Sequence, residues 1–230
     1  MQNTSQLSDN ANARHAINMQ HVSNGVKIID PSTVYIDETV EIASGAVIYP
    51  GVILEGNTRI DDGAVIGANS HLKDTIVEKG AFIHQSVAFG AHIGENTEVG
   101  PFAYLRPNTN LADNCKVGSF VEVKNAKVKS KSKIPHLSYV GDADIGTGVN
   151  IGCGVITANY DGKNKHRTVI GNDVFVGSNS NLIAPVALGD GAFVAAGSTI
   201  TKDVSSGALG IARARQEERT DWVRPKKKDE

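Results

Sequence analysis

The sequence predicts an all-β chain wound into a parallel β-helix of six-residue repeats, with a helix before it and an irregular tail after it. Three observations carry this reading. Aliphatic residues recur every sixth position over long runs. Gly, Asn or Asp often follows one or two places later, as in Ile66-Gly67, Ile93-Gly94, Val99-Gly100, Val117-Gly118 and Val176-Gly177. The 230 residues include 24 glycines but only 5% aromatics, which suits a thin, repetitive core better than a globular one. A period of six fits neither a helix (about 3.6) nor strand alternation (about 2), so it marks a repeat of larger units.

The chain divides into three parts: 1–25, 26–204 and 205–230. In the first, Ser8 is placed to cap a helix carrying Ala11, Ala13, Ala16, Ile17, Met19 and Val22, with Gly25 as its stop. Its apolar face is modest, so it reads as a linker helix that leans on something else, or else as a frayed terminus. The beat then runs through Ile36, Ile42, Ile48, Leu54, Ile60, Ile66 and Leu72. After a slip it resumes at Val87, Ile93, Val99, Leu105, Leu111, Val117 and Val123, passes Val128, Ile134 and Val140 in a lysine-rich stretch, and closes with Ile170, Val176, Leu182, Leu188, Val194 and Ile200. One aliphatic per six points inward, and a tight corner follows, where glycine and asparagine tolerate left-handed backbone angles. Three sides make a turn of about eighteen residues, stacked about 4.8 Å apart, so residues 36–200 give about nine coils. Each coil buries its aliphatics only against its neighbours, which defines a solenoid.

The largest break in the beat lies between Ile151 and Ile170, where TANYDGKNKHRT is added to one coil and Asp161-Gly162 marks a turn at its tip. Such an excursion lies against a neighbour or over a ligand, or is an insertion tolerated on the surface. After Ile200 the beat stops. Ala208 to Ile211 can still pair with the last coil, and the charged remainder holds Trp222, the only tryptophan, read as an anchor onto the body or onto a partner chain.

Composition narrows the function. Net charge is −2, and the one basic run is Lys226-Lys227-Lys228, so nucleic acid is not the expected partner. No stretch approaches the roughly 20 apolar residues of a membrane span, and the polar start lacks the apolar core of a signal peptide. Two cysteines, Cys115 and Cys153, make no disulfide framework, so a reduced, cytoplasmic setting is expected.

Chemistry is expected where the rhythm breaks, in HLSYVGDADIGTGVNIGCGVITANYDGKNK (136–165). Read with LRP (105–107), VGSFVEVKN (117–125), NIGCGVITANYDGKNKHRTVIG (150–171), VFVGSNSNLIAPV (174–186) and AAGSTITKDV (195–204), it resembles the C-terminal half of the bacterial bifunctional N-acetylglucosamine-1-phosphate uridyltransferase/glucosamine-1-phosphate acetyltransferase family. The resemblance runs from about Asn3 to the WVRPKKK tail. HLSYVGDADIG and TANYDGKNKH are its most specific parts; the repeat alone is shared by many acyltransferases and some non-enzymes. It implies a left-handed coil, a departure from the usual right-handed crossover, and a homotrimer. QLSDNANARHAINMQHVSNGVKIIDP resembles the helix joining the family's two halves. Nothing resembles the glycine-rich, lysine-bearing loop of the uridyltransferase half, so that reaction and its magnesium site are not expected here, whether the chain is an excised piece or a single-function relative.

The implied reaction moves acetyl from acetyl-coenzyme A to the amine of glucosamine 1-phosphate, feeding UDP-N-acetylglucosamine synthesis and hence peptidoglycan. An ammonium has no lone pair, so a base titrating near neutrality is needed. His136 matches the family's base, whereas His15, His21, His71, His84, His92 and His166 read as structural or exposed. Arg106, Lys124 and Lys165 match contacts to the phosphate and sugar, where a guanidinium grips as a planar fork and an ammonium acts as a point charge. Arg106 and Lys124 are one turn apart, so they are expected to stack; His136, twelve beyond Lys124, belongs on another side, and a second chain is needed to bring base and cations together.

Tyr139, Asn150, Asn159 and Tyr160 match sugar-binding or base-supporting positions, with Asn159 a partner for the histidine ring; a corner role is the plainer reading of both asparagines. Cys153, Ser178, Ala196 and Arg213 match positions lining the coenzyme, Arg213 from the tail. Alanine is usual where Cys153 stands, and no covalent intermediate is expected there. Three other readings remain: a hexapeptide acyltransferase for another amino sugar, a non-catalytic trimeric scaffold, and a metal-dependent hydratase, for which the histidines lack a metal-sharing grouping.

Overall fold

A computed structural model describes residues 11–220 and Trp222. The Ser8 cap and the lysine run of the tail lie outside these residues. A helix spans Ala11–Ser23 and is followed by Gly25 at φ 90°, a left-handed position that glycine fills without a Cβ clash. Its grip on the body differs from expectation. Ile17 and Val22 are half-buried, Met19 and Ala16 face out, and the buried residue is Asn18. Its amide donates to the carbonyls of Pro31 (2.8 Å) and Val34 (3.0 Å), which pins the helix to the first coil through hydrogen bonds.

From Lys27 to Gly210 the chain is a left-handed parallel β-helix with three walls. The first has eleven strands, from Lys27–Ile28 to Leu209–Gly210; the second has ten, from Tyr35–Ile36 to Thr199–Ile200; the third has nine, from Glu41–Ile42 to Val186–Leu188. Every strand pair is parallel, because each strand lies beneath the strand one coil later. The first coil begins before Ile36, and Leu209–Gly210 pairs with Phe193–Val194 as the sequence allows.

The core corrects one part of the repeat. Two residues per side point inward, since alternation sends positions i and i−2 to the same face. The large aliphatic is preceded by a small buried residue, as in Ala46/Ile48, Val52/Leu54, Ala103/Leu105 and Cys115/Val117. Cys115 is thus a core residue. Where the small residue is Ser or Thr, its hydroxyl bonds the backbone of the neighbouring coil: Ser86 Oγ accepts from the Ala103 amide (3.1 Å), and Thr97 Oγ1 from the Cys115 amide (3.0 Å). Val87 is not the inward residue of its strand. Ala88 is, pairing with Leu72 and Leu105, because the coil there is shortened to sixteen residues.

Asparagine corners at Asn69, Asn96, Asn108, Asn114 and Asn179 have positive φ. So do Gln85, Phe102, Phe120 and Leu137, which occupy one corner on consecutive coils. Phe102 and Phe120 stack with centroids 5.4 Å apart, and both stand exposed with Leu137. Trp222 is 76% exposed and does not anchor on the body of its own chain. No helix among the described residues is long and apolar enough to cross a membrane.

Candidate active site

Two clusters of the expected residues form, at two different corners of the prism. The first lies where the second wall turns into the third. Leu105 pairs with Val123, which places Arg106 in register with Lys124, and Lys124 pairs in turn with Gly141. Arg106 Nη1 donates to Glu122 Oε1 at 2.8 Å, a contact that raises the arginine pKa further. Lys124 Nζ lies 3.5 Å from Asp142 Oδ2. Tyr139 folds its ring over Gly141, so closely that a Cβ there would meet the tyrosine hydroxyl at 2.4 Å.

The inserted loop completes this cluster. Twenty-five residues separate Ile145 from its partner Ile170, against seventeen from Val128 to Ile145. The added residues form a small hairpin. The His166 amide donates to the Asn159 carbonyl (2.8 Å), Tyr160 bridges Lys165, and Asp161 caps the tip by accepting from the Lys163 and Asn164 amides. His166 also bonds Asp161 at 2.7 Å. These donors hold the Asp161 carboxyl far below the usual carboxylate range. At the base of the hairpin, Arg167 forms a two-pronged pair with Asp144 (2.5 and 2.7 Å) and reaches the Ala143 carbonyl. That pair pulls the Asp144 carboxyl down and the Arg167 pKa up.

The hairpin returns Lys165 close enough to Lys124 for each to shift the other's titration. Two ammonium groups so close cannot both be charged without cost. The Lys165 pKa is lowered, first by its hydrogen bond with Lys124 and then by that neighbour's charge. The Lys124 pKa is raised instead, by Lys165 and then by Asp142, so it holds its proton more tightly than Lys165 does. Burial pushes the Asp142 carboxyl up, but hydrogen bonds from Asn125 and Asn159 and the charge of Lys124 together hold it below its ordinary value. Asp142 was missed in the sequence; its one signal is its place inside GDADIG, directly after a glycine wall position.

The second cluster follows the corner between the first and second walls. His136 ends the strand Lys133–His136 and is in register with Ser119. The pairing of Lys133 with Asn150 carries His136 onto Cys153 one coil later. The line continues through Ser178 and Ala196: the Asn179 amide donates to the Cys153 carbonyl (2.7 Å), and the Gly197 amide to the Ser178 carbonyl (2.8 Å). Arg213, exposed after the last strand, lays its side-chain stem over Gly197. Asn150 sits on the outer face of the first wall, in register with Phe175. A histidine, a thiol, a hydroxyl and a methyl side chain thus form one file along the axis.

The two clusters do not meet within one chain. The second wall separates His136 from Arg106, Lys124 and Lys165. It also separates Asn159 from the His136 ring, so their expected contact does not form inside a chain; Asn159 gives its amide to Asp142 instead. Tyr160 is exposed and donates to the Gly162 carbonyl (2.8 Å). Among the described residues no three His, Cys, Asp or Glu side chains group closely enough to hold a metal ion.

The bacterial transferase hexapeptide (six repeats) family matches residues 90–125 and 167–202. The bifunctional protein GlmU of Alkaliphilus oremlandii is 51% identical over 222 residues, 96% of this chain and 49% of that protein. The chain corresponds to the C-terminal half of GlmU. GlmU of Clostridioides difficile is 50% identical over 213 residues, 93% of this chain and 46% of that protein. The chain therefore spans about half the length of the curated GlmU relatives it matches. Among solved structures, the UDP-N-acetylglucosamine acyltransferase of Francisella novicida is 18% identical, covering 80% of this chain and 66% of that one with a TM-score of 0.45.

Proposed function

We propose that the chain is a glucosamine-1-phosphate N-acetyltransferase using acetyl-coenzyme A. The observation that carries this reading is the convergence of Arg106, Lys124 and the hairpin's Lys165 at one corner of a GlmU-like coil. Three basic side chains suit a phosphate dianion, and Tyr139 beside them offers a hydroxyl to the sugar. Asn150 and Tyr160 complete the sugar site.

The ammonium of the sugar gives a proton to His136, and the freed nitrogen attacks the thioester carbonyl carbon. The tetrahedral oxyanion is stabilised by backbone amides. It collapses by breaking the carbon–sulfur bond, and the departing thiolate takes the second proton of the nitrogen, leaving the neutral amide. The coenzyme lies along the file of Cys153, Ser178 and Ala196, where small side chains leave room for a thin arm, with Arg213 meeting its phosphates. The tail residues 205–220 complete that site.

Because the clusters lie at different corners, a homotrimer is part of the proposal: the His136 file of one chain faces the cationic corner of the next. The exposed ridge of Phe102, Phe120 and Leu137 supports this, since such a run of apolar side chains favours cover by another chain. A cytoplasmic setting suits the two free thiols.

The test is release of free thiol from acetyl-coenzyme A with glucosamine 1-phosphate, beside glucosamine and other amino sugars. Strong preference for the 1-phosphate is expected. Equal rates without the phosphate favour an acyltransferase of different specificity, and absence of coenzyme binding by calorimetry favours a scaffold.

A further inference from the structure

Asp142 makes more contacts than a corner residue needs. Its side chain is 8% exposed. It accepts from Asn125 Nδ2 at 2.5 Å and from Asn159 Nδ2, and it lies 3.5 Å from Lys124 Nζ. Its own amide donates to the Lys124 carbonyl (3.0 Å), and its carbonyl accepts from the Thr168 amide (3.1 Å). Asp142 therefore holds the hairpin at both ends, by the Asn159 side chain where the loop leaves and by the Thr168 backbone where it returns.

An ionised carboxylate only accepts hydrogen bonds. Any amide facing it must turn its N–H group inward. Asn125 and Asn159 are both fixed this way, so Asn159 is left with Oδ1 to meet a donor in the groove. An asparagine free to flip would present donor or acceptor alike and would read neither. We propose that Asp142 is a positioning residue of the sugar-phosphate site: without touching substrate, it fixes Asn159 as an acceptor for an N–H or O–H of the bound sugar and holds Lys124 against Lys165. This rests on the function proposed above.

The test is steady-state kinetics on the full chain. An inactive wild type strikes the proposed function itself. With an active wild type, Asp142→Asn is expected to raise KM for glucosamine 1-phosphate about tenfold or more while KM for acetyl-coenzyme A stays within about twofold. Unchanged KM for the sugar, or an equal rise for both substrates, overturns the proposal. The exchange Asp142→Asn with Asn159→Asp restores a donor–acceptor pair but turns a charge toward the phosphate. Its sugar KM is expected to stay raised, and a return to the wild-type value points to a purely structural role and overturns the proposal. Should Asp142→Asn not fold, a crystal structure of the wild type with glucosamine 1-phosphate decides. Asn159 Oδ1 within about 3.2 Å of a sugar N–H or O–H supports the assignment; an Asn159 that does not touch the sugar overturns it.

Discussion

Arg106 and Lys124 occupy the same place on consecutive coils, and each is held by a carboxylate from the coil after it. Arg106 pairs with Glu122 at 2.8 Å, and Lys124 lies 3.5 Å from Asp142. The cations are positioned before any substrate arrives, so little ordering is left for binding to supply.

Arg106→Met tests the phosphate contact. A charge-assisted hydrogen bond contributes about 1.5–3 kcal/mol, so KM for glucosamine 1-phosphate should rise about tenfold to a hundredfold. The rate with unphosphorylated glucosamine should not change. A similar loss with both sugars would remove Arg106 from the phosphate.

His136→Ala should lower kcat by about a hundredfold to ten-thousandfold, the range of a lost general base. The ring is exposed, and Ser138 Oγ donates to the His136 backbone carbonyl at 3.0 Å, a contact the variant keeps. Thermal unfolding should therefore match the wild type. Full activity in the variant would require another base.

Gly141→Ala probes the site without replacing a polar side chain. The new methyl would stand 2.4 Å from the Tyr139 hydroxyl, so the ring must swing off the wall beside Lys124. KM for the sugar phosphate should rise severalfold with little change in KM for acetyl-coenzyme A. Equal kinetics would show that the Tyr139 position is unimportant to binding.

Acid should release the hairpin. The Asp144 carboxyl is depressed in the fold by Arg167, so the pair contributes fully above the unfolded carboxylate value of about 3.9. That contribution is lost as pH falls through the lower folded value. Hydrogen exchange at His166 to Thr168 should accelerate in that range. In Arg167→Met it should already be fast at neutral pH, with the acid dependence reduced. An unchanged exchange profile would show that the pair does not hold the loop.

The repeat was legible because a solenoid contacts only itself one coil away. Ile48, Leu54 and Ile60 each report their burial through a fixed spacing, with no distant partner to find. The small inward residues were harder to see, since Ala, Val, Ser and Thr are common on any surface. Val87 misled for a physical reason: once a coil shortens, the larger of two adjacent apolar residues need not be the one facing in. The bulky left-handed corners at Phe102, Phe120 and Leu137 carry no sequence signal, because glycine and asparagine are the residues expected there.

By itself the sequence determined the coil, its three-sided turn and the basic, imidazole and amide residue types available to a site, because period and corner chemistry are local properties. Tertiary structure alone decided that Lys165 returns to Lys124, that Asp142 gathers two asparagines and a lysine, and that His136 stands a wall away from all of them. Those relations depend on the path of one hairpin and on the register of separate coils, and neither is written in the spacing of neighbouring residues.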